Sequence, residues 1–511
     1  MEQIQLTGQD VTLSQVWAVS EGDVEVVLSE SSRAAMQKSR DYIEKRIANK
    51  DVMYGVNTGF GAFSNVTIPP KDIVQLQKNI IRSHSCGVGE PFTKKESRAI
   101  MFLRANALAR GHSGIRVKVV EKILEFLNND LIPVIPQQGS VGASGDLAPL
   151  SHLALALIGE GEVWRDGQSV AVEGELSKKD IAPLELQAKE GLSLINGCQV
   201  MTAVGLLNAY EAQRLMCMMD LAGASSLEAL RGSRAAFDPL IFATRPHPGE
   251  AMTARNMLKL LGPTSPIAES HLDCGRVQDA YSLRCMPAVH GAAKDQLRRG
   301  IETLEIEANS STDNPLVFAD EDKVLSCGNF HGEPVAFALD SLAIAISGAT
   351  SICECRIEKL INPAMSQLPA FLIEEGGLNS GHMIVQVAAA SLVSENKILS
   401  HPASVDSIPT SADKEDHVSM GTIAARKFGK IVRNAENVVS MELLCATQAL
   451  DLLAPLKASS AVDACHQRIR ERVPYAKEDR IFHRDIESIK GLIRDNALMQ
   501  AIQDSVGELE V

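Results

Sequence analysis

The chain of 511 residues is 45% hydrophobic and 22% charged, a composition typical of a globular protein that buries a large core. Its formal net charge is −14 and it has no Lys/Arg-rich stripe, so we do not expect nucleic acid as a partner. The first residues lack a signal-peptide pattern and no uncharged apolar run reaches the length of a membrane span, so we expect a cytoplasmic protein without a membrane partner.

Helical periodicity dominates the chain from its first third onward. Helices are predicted at about 31–50, 72–85, 94–110 and 117–128. Between the first two lies a Gly/Asn/Pro-rich loop, 52–70, and loops of that length are usually functional. One β-hairpin is predicted at 162–172, where alternating apolar residues flank Asp166-Gly167.

Four much longer helices are predicted after the hairpin, at about 198–224, 288–311, 333–360 and 417–453. They are apolar over much of their circumference and rich in small residues, as in AFALDSLAIAISGATS at 336–351. Such helices are buried and approach each other closely. We therefore predict a mainly α fold, a bundle of long helices, and an oligomer that shares a helical core, with a large monomeric bundle as the alternative.

Motifs for metals and external cofactors are missing from the sequence. The ten cysteines contain no CxxC pair, and GxGxxG after a strand, GxxxxGK[ST] and HExxH are absent, so we predict neither a metal site nor an external organic cofactor. The run GASGD is similar to the GxSxG motif of serine hydrolases, but Asp146 replaces the second glycine. No predicted strand leads into Ser144, which also disfavours a serine hydrolase.

One stretch, QQGSVGASGDLAPLSH at 137–152, is only partly explained as the start of a helix. Asp146 is a good N-cap for the apolar helix that follows, but the small residues before it have no role in capping. In a tight turn the nitrogen of Gly145 can attack the carbonyl carbon of Ala143 and close a five-membered ring with loss of water. Loss of the Ser144 hydroxyl then leaves an exocyclic methylene, a strong electrophile.

The same stretch resembles the prosthetic-group motif of the histidine and aromatic amino acid ammonia-lyases, in which Ala-Ser-Gly becomes 4-methylidene-imidazole-5-one (MIO). Further stretches resemble the family in the family's order: YGVNTGFG (54–61), GLSLINGCQ (191–199), VQDAYSLRC (277–285), EANSSTDNP (307–315), GNFHGEP (328–334), MSQLPAF (365–371) and SHPASVDSIPTSADKEDHVSMG (400–421).

The resemblance implies an MIO group formed from Ala143, Ser144 and Gly145 and a fumarase/aspartase-like helical lyase architecture. It also implies an N-terminal globular region, 1–110, an elongated helical domain, 111–511, and a homotetramer whose active sites take residues from several subunits.

The resemblance also assigns roles to individual side chains. Arg284 matches the anchor of the substrate carboxylate, a role that suits the two-pronged guanidinium group. Tyr54 and Tyr281 match the acid/base residues, and we expect Tyr281 to remove the β-proton while Tyr54 donates a proton to the departing amine or shares in removing the β-proton. The positions that match residues around the substrate and the prosthetic group are Asn196, Gln278 and Phe330.

Two positions favour L-histidine as substrate. Glu415 in KEDHVSM matches the acidic residue of the histidine enzymes, and a carboxylate suits an imidazole that donates N–H. His84 in RSHSCG matches a second selectivity position that is compatible with histidine or tyrosine. As alternatives, Glu415 caps the long helix predicted from His417, and His84 is an ordinary helix-end histidine.

We therefore expect non-oxidative deamination of L-histidine to trans-urocanate and ammonia, the first step of histidine degradation. A tyrosine or phenylalanine ammonia-lyase or aminomutase is the alternative within the family, and a helical scaffold without catalysis is the alternative outside it. The chain departs from the family pattern at His382 and Ala370, two positions at which a change can alter the shape of the pocket and the range of substrates.

Overall fold

The computed structural model describes residues 2–511, apart from the side chains of Glu2 and Ala62. Most of the described chain is helical, and this confirms the mainly α prediction. The α-helices are α1 (Leu13–Glu21), α2 (Glu30–Ala48), α3 (Ile73–His84), α4 (Lys94–Ala109), α5 (Val117–Asn128), α6 (Leu147–Leu157), α7 (Val172–Lys179), α8 (Glu190–Ile195), α9 (Gln199–Ala229), α10 (Pro239–Thr244), α11 (Pro248–Leu261), α12 (Pro266–Glu269), α13 (Tyr281–Arg284), α14 (Met286–Ala308), α15 (Glu333–Ile361), α16 (Pro363–Ser366), α17 (Met383–Leu399), α18 (Gly421–Asp451), α19 (Ser460–Arg470), α20 (Phe482–Arg494) and α21 (Ala497–Val506). Short 3₁₀ helices lie at Gly61–Phe63, Pro70–Asp72, Arg234–Phe237 and Ala370–Leu372.

The strands are short and form two-stranded pairs. They are β1 (Glu2–Leu6), β2 (Val24–Leu28), β3 (Val88–Pro91), β4 (Pro136–Gln138), β5 (Glu162–Arg165), β6 (Gln168–Ala171), β7 (Leu316–Phe318) and β8 (Lys323–Leu325). β1 and β2 are parallel, and the other three pairs are antiparallel. The predicted hairpin is confirmed as β5–β6. Its turn residues Asp166 and Gly167 have φ angles of 51° and 77°, the positive values that a two-residue type I′ turn requires.

The chain forms two compact units. The first contains residues 1–210, 300–340 and 402–427, and the second contains residues 211–299, 341–401 and 428–511. Along the sequence, α9, α14, α15 and α18 each contribute residues to both units. The predicted boundary at residue 110 falls inside the first unit, and the division into 1–110 and 111–511 stays a prediction.

Helix α4 is central to the first unit. It begins with a capping box, in which Thr93 and Glu96 each accept a hydrogen bond from the other's backbone N–H. Every residue from Ser97 to Ala109 is buried, and the helix packs against α1 and α5. A helix buried on all sides fixes its neighbours in place, so this unit has a rigid framework for the loops that surround its cavity.

The four long helices appear where the sequence predicts them, with ends that differ by a few residues. Helix α18 begins at Gly421, four residues after His417, and residues 438–450 are all buried. Helix α15 is long and apolar enough to cross a membrane by length and composition alone, but half of its most apolar window is buried inside the protein. Burial of that kind is what the core helix of a bundle requires.

Candidate active site

A cavity of about 1310 Å³ lies in the first unit and is lined by loops and helix ends. It brings together side chains that are more than 300 residues apart in the sequence. The predicted site residues that line it are Tyr54, His84, Ala143, Ser144, Asn196, Phe330 and Glu415.

The Ala143-Ser144-Gly145 segment forms a tight turn in the cavity wall. Gly142 and Gly145 have φ angles of 71° and 70°, values that side chains rarely allow. A Cβ atom on Gly145 would overlap the backbone of Gly197, its partner in a parallel β-bridge. Both glycines are therefore needed for the chain to fold back at this point.

Asp146 links this turn to helices α9 and α18, and it does not cap α6 as the sequence predicts. It occupies the N-cap position of α6, but its side chain makes no bond to that helix. The carboxylate instead accepts the backbone N–H groups of Val200 and Met201, at 3.0 and 2.9 Å, in the first turn of α9. It also accepts hydroxyl hydrogen bonds from Ser140 and Thr422. The interpretation of Asp146 as the cap of its own helix is wrong, because these four donors satisfy the carboxylate.

Glu415 lies beside the turn. One carboxylate oxygen accepts a hydrogen bond from the Ser144 hydroxyl at 3.1 Å, and the other accepts one from the Thr410 hydroxyl at 2.7 Å. Because α18 begins only at Gly421, Glu415 does not cap that helix. The acidic residue that the sequence associates with substrate selectivity is therefore within hydrogen-bonding reach of the serine that the resemblance assigns to the electrophile.

Tyr54 and His84 line the same cavity, and burial acts on both side chains. Burial raises the pKa of Tyr54, and its hydroxyl oxygen accepts a long hydrogen bond, 3.4 Å, from the Gly61 backbone N–H. Burial lowers the pKa of His84, the last residue of α3, which therefore favours the neutral imidazole. The phenol is thus a proton donor at neutral pH. The Nδ1 atom of His84 lies 3.0 Å from the Ser83 hydroxyl, and the other ring nitrogen can donate or accept a hydrogen bond.

Asn196 and Phe330 line the same cavity as Ala143 and Ser144. The amide of Asn196 donates to the carboxylate of Asp313 at 3.1 Å, and the carbonyl of Phe330 accepts a hydrogen bond from the Cys198 thiol at 3.0 Å. Sequence patterns alone did not reveal Asp313, because it is 117 residues away from Asn196 along the chain. The pairing of a buried amide with a buried carboxylate becomes visible only in three dimensions.

Gly145 lies in the turn itself, and the three remaining predicted site residues, Gln278, Tyr281 and Arg284, belong to the second unit and do not line the cavity. Tyr281 is 72% exposed, and the Arg284 guanidinium lies over its ring, 4.6 Å from the centroid. Arg284 also donates to the side-chain oxygen of Gln278 at 3.3 Å and to the backbone carbonyl of Asp279 at 3.2 Å. The three predicted residues thus form one cluster on their own unit, with the arginine and tyrosine in contact.

A further cluster at the cavity consists of His331, Glu333 and His417. One ligand atom from each lies within 4.8 Å of the others, so the three can hold a metal ion. The two imidazole rings are nearly parallel, with centroids 5.7 Å apart. Motif spacing could not indicate this cluster, because its members come from two distant segments of the sequence.

Comparisons with known proteins agree with this architecture. The family model "Aromatic amino acid lyase" matches residues 11–471. A histidine ammonia-lyase from Koribacter versatilis is 50% identical, and the match covers 99% of this chain and 100% of that protein. The crystal structure of a histidine ammonia-lyase from Trypanosoma cruzi has a TM-score of 0.92 and 42% identity, with 99% of this chain and 96% of that chain covered.

The fold is also similar to that of an enzyme with a different activity. A tyrosine aminomutase from Streptomyces globisporus has a TM-score of 0.94 and 37% identity, with 99% of this chain and 100% of that chain covered. Fold similarity therefore does not distinguish between histidine and tyrosine as the substrate. The family itself is established, because the family model matches most of the sequence. The chain belongs to the aromatic amino acid lyase family.

Proposed function

We propose that this chain catalyses the non-oxidative deamination of L-histidine to trans-urocanate and ammonia. The observation that carries the proposal is the position of Glu415, whose carboxylate reaches Ser144 inside the cavity. A carboxylate is costly to desolvate beside a phenyl ring but can accept the N–H of an imidazole. The full-length similarity to histidine ammonia-lyases supports the same substrate.

We propose that Ala143, Ser144 and Gly145 form the MIO group, so that no external organic cofactor is needed. The turn fits this group, because the positive φ angles of Gly142 and Gly145 fold the backbone sharply and no bulky side chain stands between them. Once formed, the group supplies an electrophilic methylidene carbon to the substrate. Asp146 holds the turn by binding the first N–H groups of α9.

The remaining residues bind the substrate and move protons. Glu415 accepts the imidazole N–H, and Arg284 binds the carboxylate through paired N–H donors. Tyr281 removes the β-proton, the Cβ–H electron pair forms the new double bond, and the C–N bond breaks. Tyr54 donates a proton to the departing amine, a role that its raised pKa supports, since it stays protonated at neutral pH.

We further propose a homotetramer in which one subunit's cavity is completed by Tyr281, Gln278 and Arg284 of others. Two observations support shared sites: no arginine lines the cavity among the described residues, and Tyr281 is exposed. Apolar side chains along α17 are also exposed, with Ile384, Val387 and Ile398 between 52% and 68% accessible. Surfaces of this kind usually mark an interface.

Subunit sharing can be tested by co-expression of two inactive variants. Tyr54→Phe and Tyr281→Phe homotetramers should each have little activity. Mixed tetramers should regain part of it, because some sites then combine an intact Tyr54 with an intact Tyr281. Mixed tetramers as inactive as the parents would contradict shared sites. We place the enzyme in the cytoplasm, where a reducing environment maintains free thiols such as its ten cysteines.

The substrate is tested by incubating the purified protein with L-histidine, L-tyrosine and L-phenylalanine and following the ultraviolet absorbance of each unsaturated acid. Urocanate should form fastest. Coumarate or cinnamate without urocanate would overturn the assignment, and a β-amino acid product detected by mass spectrometry would indicate an aminomutase instead.

A further inference from the structure

A buried polar cluster stands directly behind Asn196. Lys189, Ser193 and Asn196 are spaced by four and three residues along α8 and its flanks, so they share one face. All three bind the carboxylate of Asp313: the Lys189 ammonium at 2.6 Å, the Ser193 hydroxyl at 2.8 Å and the Asn196 amide at 3.1 Å. A fourth bond comes from the backbone N–H of Asn314 at 2.7 Å.

The carboxylate of Asp313 is charged despite its burial. Burial alone would raise its pKa, but the Lys189 ammonium and the Arg104 guanidinium outweigh burial and lower the pKa. Lys189 is fully buried and has a φ angle of 73°, a strained conformation for a residue other than glycine. A buried ion pair and local strain are costly features, and here both serve to fix one carboxylate.

The cluster determines which way the amide of Asn196 points. Its nitrogen lies 3.1 Å from a carboxylate oxygen of Asp313 and 3.4 Å from the backbone carbonyl of Asn314. Both neighbours only accept hydrogen bonds, so the NH₂ group must face them and the amide cannot be flipped. The oxygen is then the polar atom that Asn196 offers to the cavity.

An amide oxygen can bind only a donor. Of the polar groups of L-histidine, the carboxylate has no donor, and the imidazole N–H is directed at Glu415 in the proposed binding mode. The amino group remains. Asn196 lines the cavity together with Ala143 and Ser144, and its neighbour Gly197 is bridged to Gly145, so the oxygen lies on the side of the cavity where the amine reacts.

We infer that Asp313, held by Lys189, is a positioning residue that turns the Asn196 amide oxygen toward the amino group of the substrate. The inference rests on the proposed function for the identity of the amine. It adds Asp313 and Lys189 to the groups on which turnover depends, although neither touches the substrate.

The test compares Asp313→Asn with the wild type, using L-histidine and its deamino analogue 3-(imidazol-4-yl)propanoate. With Asp313 neutralised, the Asn196 amide oxygen should lose its hydrogen bond to the substrate amino group. Because that bond depends on a charged group, its loss should lower kcat/KM for L-histidine about 10- to 150-fold. The inhibition constant of the analogue should change by less than about twofold, because the analogue has no amino group for Asn196 to bind. Equal changes for both ligands, or an unchanged kcat/KM, would overturn the inference.

Asp220→Asn is the matched control. Asp220 is also fully buried and also binds a buried lysine, Lys294, at 2.6 Å, but it belongs to the second unit. This variant should lower the melting temperature and leave kcat/KM within about twofold. A loss as large as that of Asp313→Asn would mean that any broken buried ion pair reduces turnover, and it would overturn the assignment.

Dependence on Asn196 is tested by a double-mutant cycle. In an Asn196→Ala background, Asp313→Asn should lower kcat/KM no further, because Asp313 acts through the amide. A second full loss would contradict this. If Asp313→Asn does not fold, Ser193→Ala removes only one of the four bonds to the carboxylate and should give a smaller loss that is again confined to the amine-bearing ligand.

The outcomes for substrate and positioning are separable. If the wild type does not deaminate L-histidine, the proposed function fails. The positioning role of Asp313 is then tested with the amino acid that the wild type does convert. The change in kcat/KM on Asp313→Asn is measured for that amino acid and compared with the change in the inhibition constant of its deamino form.

Discussion

Replacing Glu415 with glutamine tests the basis of substrate choice. In the structure this carboxylate accepts hydrogen bonds from Ser144 at 3.1 Å and from Thr410 at 2.7 Å. Glutamine has nearly the same shape, so Thr410 keeps an acceptor, but the charge is lost. A hydrogen bond to a charged group contributes about 1.5–3 kcal/mol. With about 1.4 kcal/mol for each factor of ten, kcat/KM for L-histidine should fall about 10- to 150-fold.

The assay follows urocanate absorbance at several concentrations of L-histidine, and L-tyrosine and L-phenylalanine are measured in parallel. Their relative kcat/KM values should rise, because a neutral amide is cheaper to bury beside an aromatic ring. Asp413→Asn is the matched control: it makes the same chemical change two residues away, in a residue that does not line the cavity and has a φ angle of 62°, which asparagine tolerates. An unchanged kcat/KM for L-histidine in Glu415→Gln would refute the role of the carboxylate.

Three further substitutions probe the turn, the acid and the buried histidine. Gly145→Ala should prevent MIO formation, because the new Cβ overlaps the backbone of Gly197, and the intact mass should then lack the loss of two waters that MIO formation causes. Gly167→Ala is the control: Gly167 is also at positive φ, but a Cβ there has nothing within 4 Å, so this variant should keep both the two-water loss and the activity. Tyr54→Phe should lower kcat about 10²- to 10⁴-fold, the usual contribution of a general acid, and should still lose two waters relative to its own encoded mass; an unchanged kcat would exclude this role. Burial lowers the pKa of His382 from 6.5 to about 4. Between those values the unfolded chain binds a proton that the folded chain does not, so stability falls as the pH drops through this window. His382→Phe should remove that pH dependence, so the gain in the free energy of unfolding over the wild type should be about 2 kcal/mol larger at pH 5 than at pH 7. If chemical denaturation shows the same change with pH for the variant and the wild type, the prediction is contradicted.

The sequence predicted much of the fold because its signals are local. The Asp166-Gly167 turn and the long apolar helices depend on residues close together in the chain. The family resemblance predicted that Ser144 and Glu415 belong to one site, and the structure places these two side chains in contact.

Contacts between distant segments were not predictable in this way. Asp146 has the position of a cap for α6, yet its carboxylate binds the first turn of α9 through the backbone N–H of Val200, 54 residues away along the chain. The bond between Lys189 and Asp313 joins residues 124 positions apart. Burial, which sets the pKa of Tyr54 and His84, likewise depends on the assembled cavity.

Formation of an electrophile from Ala143-Ser144-Gly145 is tested most directly by the intact mass of the purified protein. We expect a mass lower than that of the encoded sequence by two waters, and we expect the full encoded mass, with no urocanate formation, for Ser144→Ala. A wild-type protein that has the full encoded mass and still deaminates L-histidine would contradict the proposed chemistry.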